Sequence, residues 1–254
     1  MKKVLTLAVV LAMCLCGCGE SKNDPAESGG TTVEITDCET PDEPAPEGAK
    51  PSKAVVYNAH NAVICNVLYE YDEQGRMVKM TSTDSDGEEM SHTEREYNAD
   101  GNETKHCVYS KDKLVSREET KYDGRKALEK TVYDSEDSVS TTVKYEHDSD
   151  GNVIKETRYT DKGDAESVYE VVYGANGKES ERTQLTTDGS VVLRTVYEYT
   201  DDGEPLKIMQ YYGNGSLYGY FEYEHDANGN VTKMTDYGAD GDAKNITVYK
   251  YESK

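Results

Sequence analysis

The chain has 254 residues, with 50 acidic against 28 basic side chains, a formal net charge of −22 and a hydrophobic fraction of 35%. A surface this acidic repels a polyanion, which excludes a nucleic-acid groove. Leu, Ile, Val and Phe are too sparse for a conventional two-layer core, yet 21 Tyr, with one Phe and no Trp, is not the composition of a disordered chain. Tyr, Val and Thr together point to strands with half-wet faces.

The first segment reads as a secretion signal: Lys2 and Lys3, then the apolar run from Val4 to Leu15. That run is shorter than the roughly 20 residues of a permanent membrane helix. It ends in Leu15-Cys16-Gly17-Cys18, which resembles the lipobox of bacterial lipoproteins. The resemblance implies removal of residues 1–17 and acylation of Cys18 on sulfur. The mature protein then sits in the cell envelope, outside the cytoplasm and held to the membrane by lipid. Met13 and Leu15 precede Cys14 and Cys16, where a small residue is required, so neither of those fits. After Cys18 the chain holds Cys38, Cys65 and Cys107. An odd number cannot pair completely, so no disulfide framework is expected, and a single Cys65–Cys107 bridge stays open.

Residues 18–56 carry Pro25, Pro41, Pro44, Pro46 and Pro51, Gly29-Gly30 and many carboxylates. Such a segment cannot bury enough apolar surface to offset its ordering entropy, and it reads as an extended tether.

Residues 57–254 read as a repeat domain. An aromatic residue is followed four later by glycine at Tyr71, Tyr97, His147, Tyr173, Tyr199 and His225, with Tyr122 and Tyr251 in the same phase and a step of 25 or 26 residues. A second aromatic column runs halfway between, at Tyr109, Tyr133, Tyr159, Tyr211 and Tyr237. The unit is thus about 13 residues, one strand and one turn. Turns such as Asp148-Ser149-Asp150-Gly151 suit a type I turn closed by a glycine bulge. Val191–Tyr199 alternates as a strand does. The expectation is an all-β antiparallel meander of about 15 short strands, single-layered or curled.

Tyr69-Glu70-Tyr71-Asp72-Glu73-Gln74-Gly75-Arg76-Met77, with close variants at 145–153 and 223–231, resembles the Rhs/YD repeat. The resemblance covers residues 65–254 and implies the strand architecture. In long members such strands form a shell around a toxin. This chain is short, with neither a proline-rich closing motif nor a toxin domain after the repeats.

A lysine recurs four residues after the turn glycine, at Lys79, Lys105, Lys155, Lys207 and Lys233. A three-residue hairpin loop places four of them (Lys79, Lys155, Lys207, Lys233) opposite Tyr69, Tyr145, Tyr197 and Tyr223, with Tyr169 flanking Lys155 from the next strand. The lysine stem can then lie across the ring. Such a row reads first as a self-packed sheet face and second as a sugar-binding platform. No catalytic residue, metal ligand set or cofactor motif is called for: the five histidines are scattered, and the Asp-rich turns lack the context of a calcium loop. The functional expectation is a lipid-anchored binding or interaction module with a glycan or surface-protein partner. A scaffold without soluble ligand, or a toxin-associated shell fragment or immunity-type partner, is the alternative.

The anchor is directly testable. Cys18→Ala should accumulate as unprocessed precursor, and intact-mass spectrometry should find no acyl mass; a lipid mass on the variant refutes the lipobox reading.

Overall fold

The computed structural model describes residues 44–251; the signal peptide, Cys18, Cys38 and most of the tether lie outside them. The strands are β1 (Pro51–Asn58), β2 (Val63–Tyr71), β3 (Met77–Thr83), β4 (Glu89–Tyr97), β5 (Glu103–Ser110), β6 (Lys113–Asp123), β7 (Lys126–Tyr133) and β8 (Val139–His147). They continue as β9 (Val153–Thr160), β10 (Ala165–Tyr173), β11 (Glu179–Leu185), β12 (Val191–Tyr199), β13 (Pro205–Tyr212), β14 (Leu217–His225), β15 (Val231–Gly238) and β16 (Ala243–Tyr251). Each pairs antiparallel with its chain neighbours, and β1 pairs with β16, so the meander closes into a barrel. Closure leaves no edge strand exposed.

The strand beyond the expected fifteen is β1, and residues 51–56, read as tether, belong to it. The prolines concealed an eighth copy of the repeat. The position just beyond the turn recurs at Lys50, Arg76, Asn102, Lys126, Asn152, Lys178, Glu204 and Asn230, so eight two-strand units make the sixteen. Ala54-Val55-Val56 of β1 lies beside Thr247-Val248-Tyr249 of β16, with Ile246 opposite Tyr57. Ala54 (0% exposed), Val56 (7%), Val55 (6%), Ile246 (3%) and Val248 (1%) are buried on both faces of the sheet. A strand apolar on both faces is one made to be enclosed.

The turns that follow even-numbered strands form one rim, which also receives the chain at residues 44–50 and is called the tether rim below. Asp72 shows their construction. Its carbonyl accepts from Gly75 N–H at 2.8 Å, its Oδ1 accepts from Gln74 and Arg76 N–H at 3.0 and 2.8 Å, and Gly75 has φ of 72°. Glycine takes that left-handed conformation without a Cβ penalty. Six of the eight rim aromatics are tyrosines whose hydroxyl donates to a backbone carbonyl of the preceding strand: Tyr71 to Pro51, Tyr97 to Met77, Tyr122 to Glu103, Tyr173 to Val153, Tyr199 to Glu179 and Tyr251 to Val231, at 2.6–3.0 Å. Imidazole replaces phenol at His147 and His225, and each leaves a buried Nε2 without a hydrogen-bond partner among the described residues.

Residues just beyond these turns lace each turn to the next around the tether rim. Lys50 donates to Gly75 O and Lys178 to Gly203 O, Arg76 reaches Asn98 O at 3.4 Å, and Asn102 reaches Gly124 O at 2.7 Å. Asn230 donates to Ala45 O at 2.9 Å, and Ala45 N–H donates to Asp226 Oδ2 at 3.0 Å. Residues 44–50 thereby supply the turn that the ring would otherwise lack.

Tyr199→Phe should lower stability by about 0.5–1.5 kcal/mol, the usual worth of one such hydrogen bond, read as a lower urea midpoint at unchanged slope. An unchanged midpoint would show that the clamp contributes nothing.

Candidate functional site

The strand register reassigns the Tyr–Lys row. Tyr199 does pair with Pro205, six residues on, but Glu198 then pairs with Lys207 and Tyr197 with Ile208. One extra residue, Leu206, is taken up as a bulge just inside the turn, and a slip of one residue sends a side chain to the other face. The same bulge places Lys79 opposite Glu70, Lys155 opposite Glu146 and Lys233 opposite Glu224. Tyr69, Tyr145, Tyr197 and Tyr223 therefore face the barrel interior, whereas Lys79, Lys155, Lys207 and Lys233 stand on the outer wall. Tyr169 pairs with Glu156 on the inner face, and Glu170 is the residue beside Lys155. Outside, Lys155 binds Glu146 at 2.9 Å, Lys233 binds Glu224 at 2.7 Å, and Lys207 binds Glu222 at 2.8 Å while lying 4.1 Å from the ring centre of Tyr220. The second aromatic column is also external, with Tyr237 stacked on Tyr220 at 4.6 Å and Tyr109 on His92 at 4.4 Å. These rings cover one another and do not form an open sugar platform. Cys65 faces inward beside Val56 and Cys107 outward beside Glu94. The two sulfurs thus stand on opposite faces of the sheet, so the Cys65–Cys107 bridge left open does not form.

The interior divides into two sectors. Near the seam, Ala54, Val56, Cys65, Val67, Ile208 and Tyr223 make a packed apolar core. Burial pushes the hydroxyl pKa of Tyr249 up to about 12 and drives those of Tyr69 and Tyr223 higher still, so these rings stay neutral donors.

From β4 to β11 the inner wall carries charge instead. Lys130 binds Glu118 at 2.9 Å, with His106 at 3.9 Å from the same carboxylate. Arg182 binds Glu156 at 2.9 Å and Glu179 at 2.8 Å, and Arg95 lies 3.6 Å from Glu103. His106 and then Lys130 hold the Glu118 carboxyl down at about 2 against its burial. Burial opposes the charge on Arg182, but the Glu179 and Glu156 carboxylates outweigh it and raise its pKa. Paired charges in a partly dehydrated wall add little stability, yet breaking one pair is costly.

At the rim opposite the tether, this sector opens into a pocket of about 290 Å³ formed by β9 to β12. Arg158, Ser167, Tyr169 and Gln184 line it from within, with Glu166 and Thr186 at its lip. Register places Ser167 across from Arg158, and Gln184 across from Tyr169. The Arg158 guanidinium lies 5.1 Å from the ring centre of Tyr169. Sequence reasoning did not single out Arg158, Ser167 or Gln184. They belong to three strands, and only pairing across β9, β10 and β11 brings them together.

A family model described as "Uncharacterised protein" matches residues 34–170. No curated protein matches the sequence. A porin-like protein from Bacteroides uniformis ATCC 8492 is similar in structure, with a TM-score of 0.51 and 12% identity over 80% of this chain and 99% of that one. A porin-like protein from Bacteroides vulgatus ATCC 8482 is similar with a TM-score of 0.51 and 15% identity, over 81% of this chain and 100% of that one. At such identities the likeness is one of fold, an all-β barrel.

The depressed Glu118 carboxyl makes the charged sector acid-sensitive. Its folded value lies below the unfolded one, so its contribution is present above about pH 5 and is lost as pH falls toward 2. Allowing for its partial exposure, that contribution is about 2 kcal/mol. Glu118→Gln should flatten this limb of the stability–pH curve; an identical acid limb in the variant refutes the assignment.

Proposed function

We propose that the chain, which belongs to the uncharacterised family matched over residues 34–170, is a water-immersed barrel, anchored to the envelope through a lipid on Cys18, that binds a partner at its distal mouth. The observation that carries this reading is the position of the pocket. The tether enters at one rim, where Asn230 and Asp226 clasp Ala45, and the pocket lined by Arg158 and Gln184 opens at the other. A lipid on Cys18 then attaches the barrel through the rim that does not carry the pocket.

The outer wall supports immersion in water and not in lipid. Glu94, Arg117, Glu119, Lys144, Glu170, Arg194 and Glu222 all stand on it within strands. A lysine or arginine on a lipid-facing wall costs about 2–4 kcal/mol at the bilayer midplane. The packed seam and paired interior charges support a filled barrel and not a conducting pore. Binding, and not catalysis, is the activity inferred.

A chain lacking residues 1–17 and carrying Cys18→Ala should partition into the aqueous phase of a detergent separation with an unchanged melting transition, whereas the acylated chain follows the detergent. The acylated chain, fixed on beads, should retain an envelope component and lose it on Arg158→Gln. Detergent partitioning of the unacylated chain, or retention indifferent to Arg158→Gln, would refute the reading.

A further inference from the structure

The inner wall matches its cations with carboxylates. Arg95 has Glu103, Lys130 has Glu118, and Arg182 has Glu156 and Glu179. Arg158 breaks the pattern: among the described residues, no carboxylate lies within 4.0 Å of its guanidinium, although the chain carries 50 acidic side chains. Its partner is an aromatic face, Tyr169, at 5.1 Å. A cation over a ring face keeps its N–H donors unspent, and Arg158 lines the pocket. Ser167, Tyr169 and Gln184 line the same pocket, and none of their side chains makes a hydrogen bond within the described residues. Two hydroxyls and one amide without a hydrogen bond, and one cation without a carboxylate, among the described residues, thus line a concavity of about 290 Å³.

Deepening the reading above and resting on it, we propose that this pocket binds the carboxylate of a small hydroxylated acid, a sugar-acid unit of an envelope glycan. A guanidinium presents a planar fork of donors that fits a carboxylate with two parallel hydrogen bonds. Arg158 is the cation of the lining and meets the carboxylate, while Glu166 at the lip accepts from a ligand hydroxyl. A phosphate dianion would keep an unbalanced charge inside a protein whose net charge is −22. Gln184 supplies both a donor and an acceptor, and the Ser167 and Tyr169 hydroxyls likewise do both, which suits vicinal hydroxyls on a ring. The volume stands at the small end of ligand pockets, about 300–1,000 Å³, and admits one ring-sized unit. One partly exposed contact of this kind gives weak binding. Many barrels anchored in one membrane and facing a polymer of such units gain avidity without any new contact.

The test is calorimetric titration of the full chain in detergent micelles with glucuronate, glucose and inorganic phosphate at fixed ionic strength. Glucuronate should bind in the millimolar range or tighter, with glucose and phosphate each weaker by about tenfold. Arg158→Gln should weaken glucuronate by about tenfold, and Gln184→Ala should weaken it severalfold, both with a wild-type melting transition. Gln184→Ala stands as the second variant should Arg158→Gln fail to fold. Equal binding of glucose, phosphate binding as tight as glucuronate, or glucuronate binding untouched by both substitutions would overturn the proposal. Capture of an envelope component with no glucuronate binding defeats this inference alone. Glucuronate binding without such capture defeats the envelope-partner reading alone.

Discussion

Every other feature of the fold depends on the pairing of β1 with β16. A meander of sixteen strands has two free edges, each a row of unsatisfied backbone donors and acceptors. Joining them satisfies both at once and forces one face of every strand inward. The seam strands are built for this, with Val55 and Val248 buried on the outer face while Ala54 and Val56 are buried on the inner one. Residues 44–50 finish the same closure at the tether rim, where Ala45 and Lys50 bind the last and first turns of the ring.

With the ends joined, the interior must be filled by a sequence poor in Leu and Phe. Tyrosine supplies the volume, and its hydroxyl fastens to a neighbouring strand's carbonyl, as in the Tyr199–Glu179 pair. This joins apolar burial and hydrogen-bond satisfaction in one residue. Away from the seam the wall is charged, and its order comes from paired ions such as Arg182 with Glu156 and Glu179. Among the described residues, Arg158 is the inner-wall cation without a carboxylate, and the polar concavity it lines at the mouth is the basis of the functional reading.

The repeat period, the turn chemistry and the antiparallel order were legible because each is local. Aspartate and glycine at fixed offsets specify the turn, and a step of 25 or 26 residues specifies two strands per unit. The facing of Tyr197 and Lys207 was not legible, because a bulge at Leu206 shifts the register by one and leaves no mark in the alternation of apolar and polar residues. The first repeat was hidden for a related reason. Lys50 keeps the phase of Arg76, but Pro46 and Pro51 give its surroundings the composition of a linker.

The sequence by itself determined an all-β repeat with hairpin turns and an N-terminal segment that resembles a lipoprotein signal, since periodicity and local motifs are properties of neighbouring residues. The tertiary structure decided closure, the inward face and the pocket. Closure depends on contacts between residues about 200 apart, such as Val55 with Val248. The inward face depends on a one-residue slip. The pocket depends on Arg158, Ser167 and Gln184 meeting across three strands, and its ligand class rests on which inner cation is left without a carboxylate, a fact that exists only once all the pairs have formed.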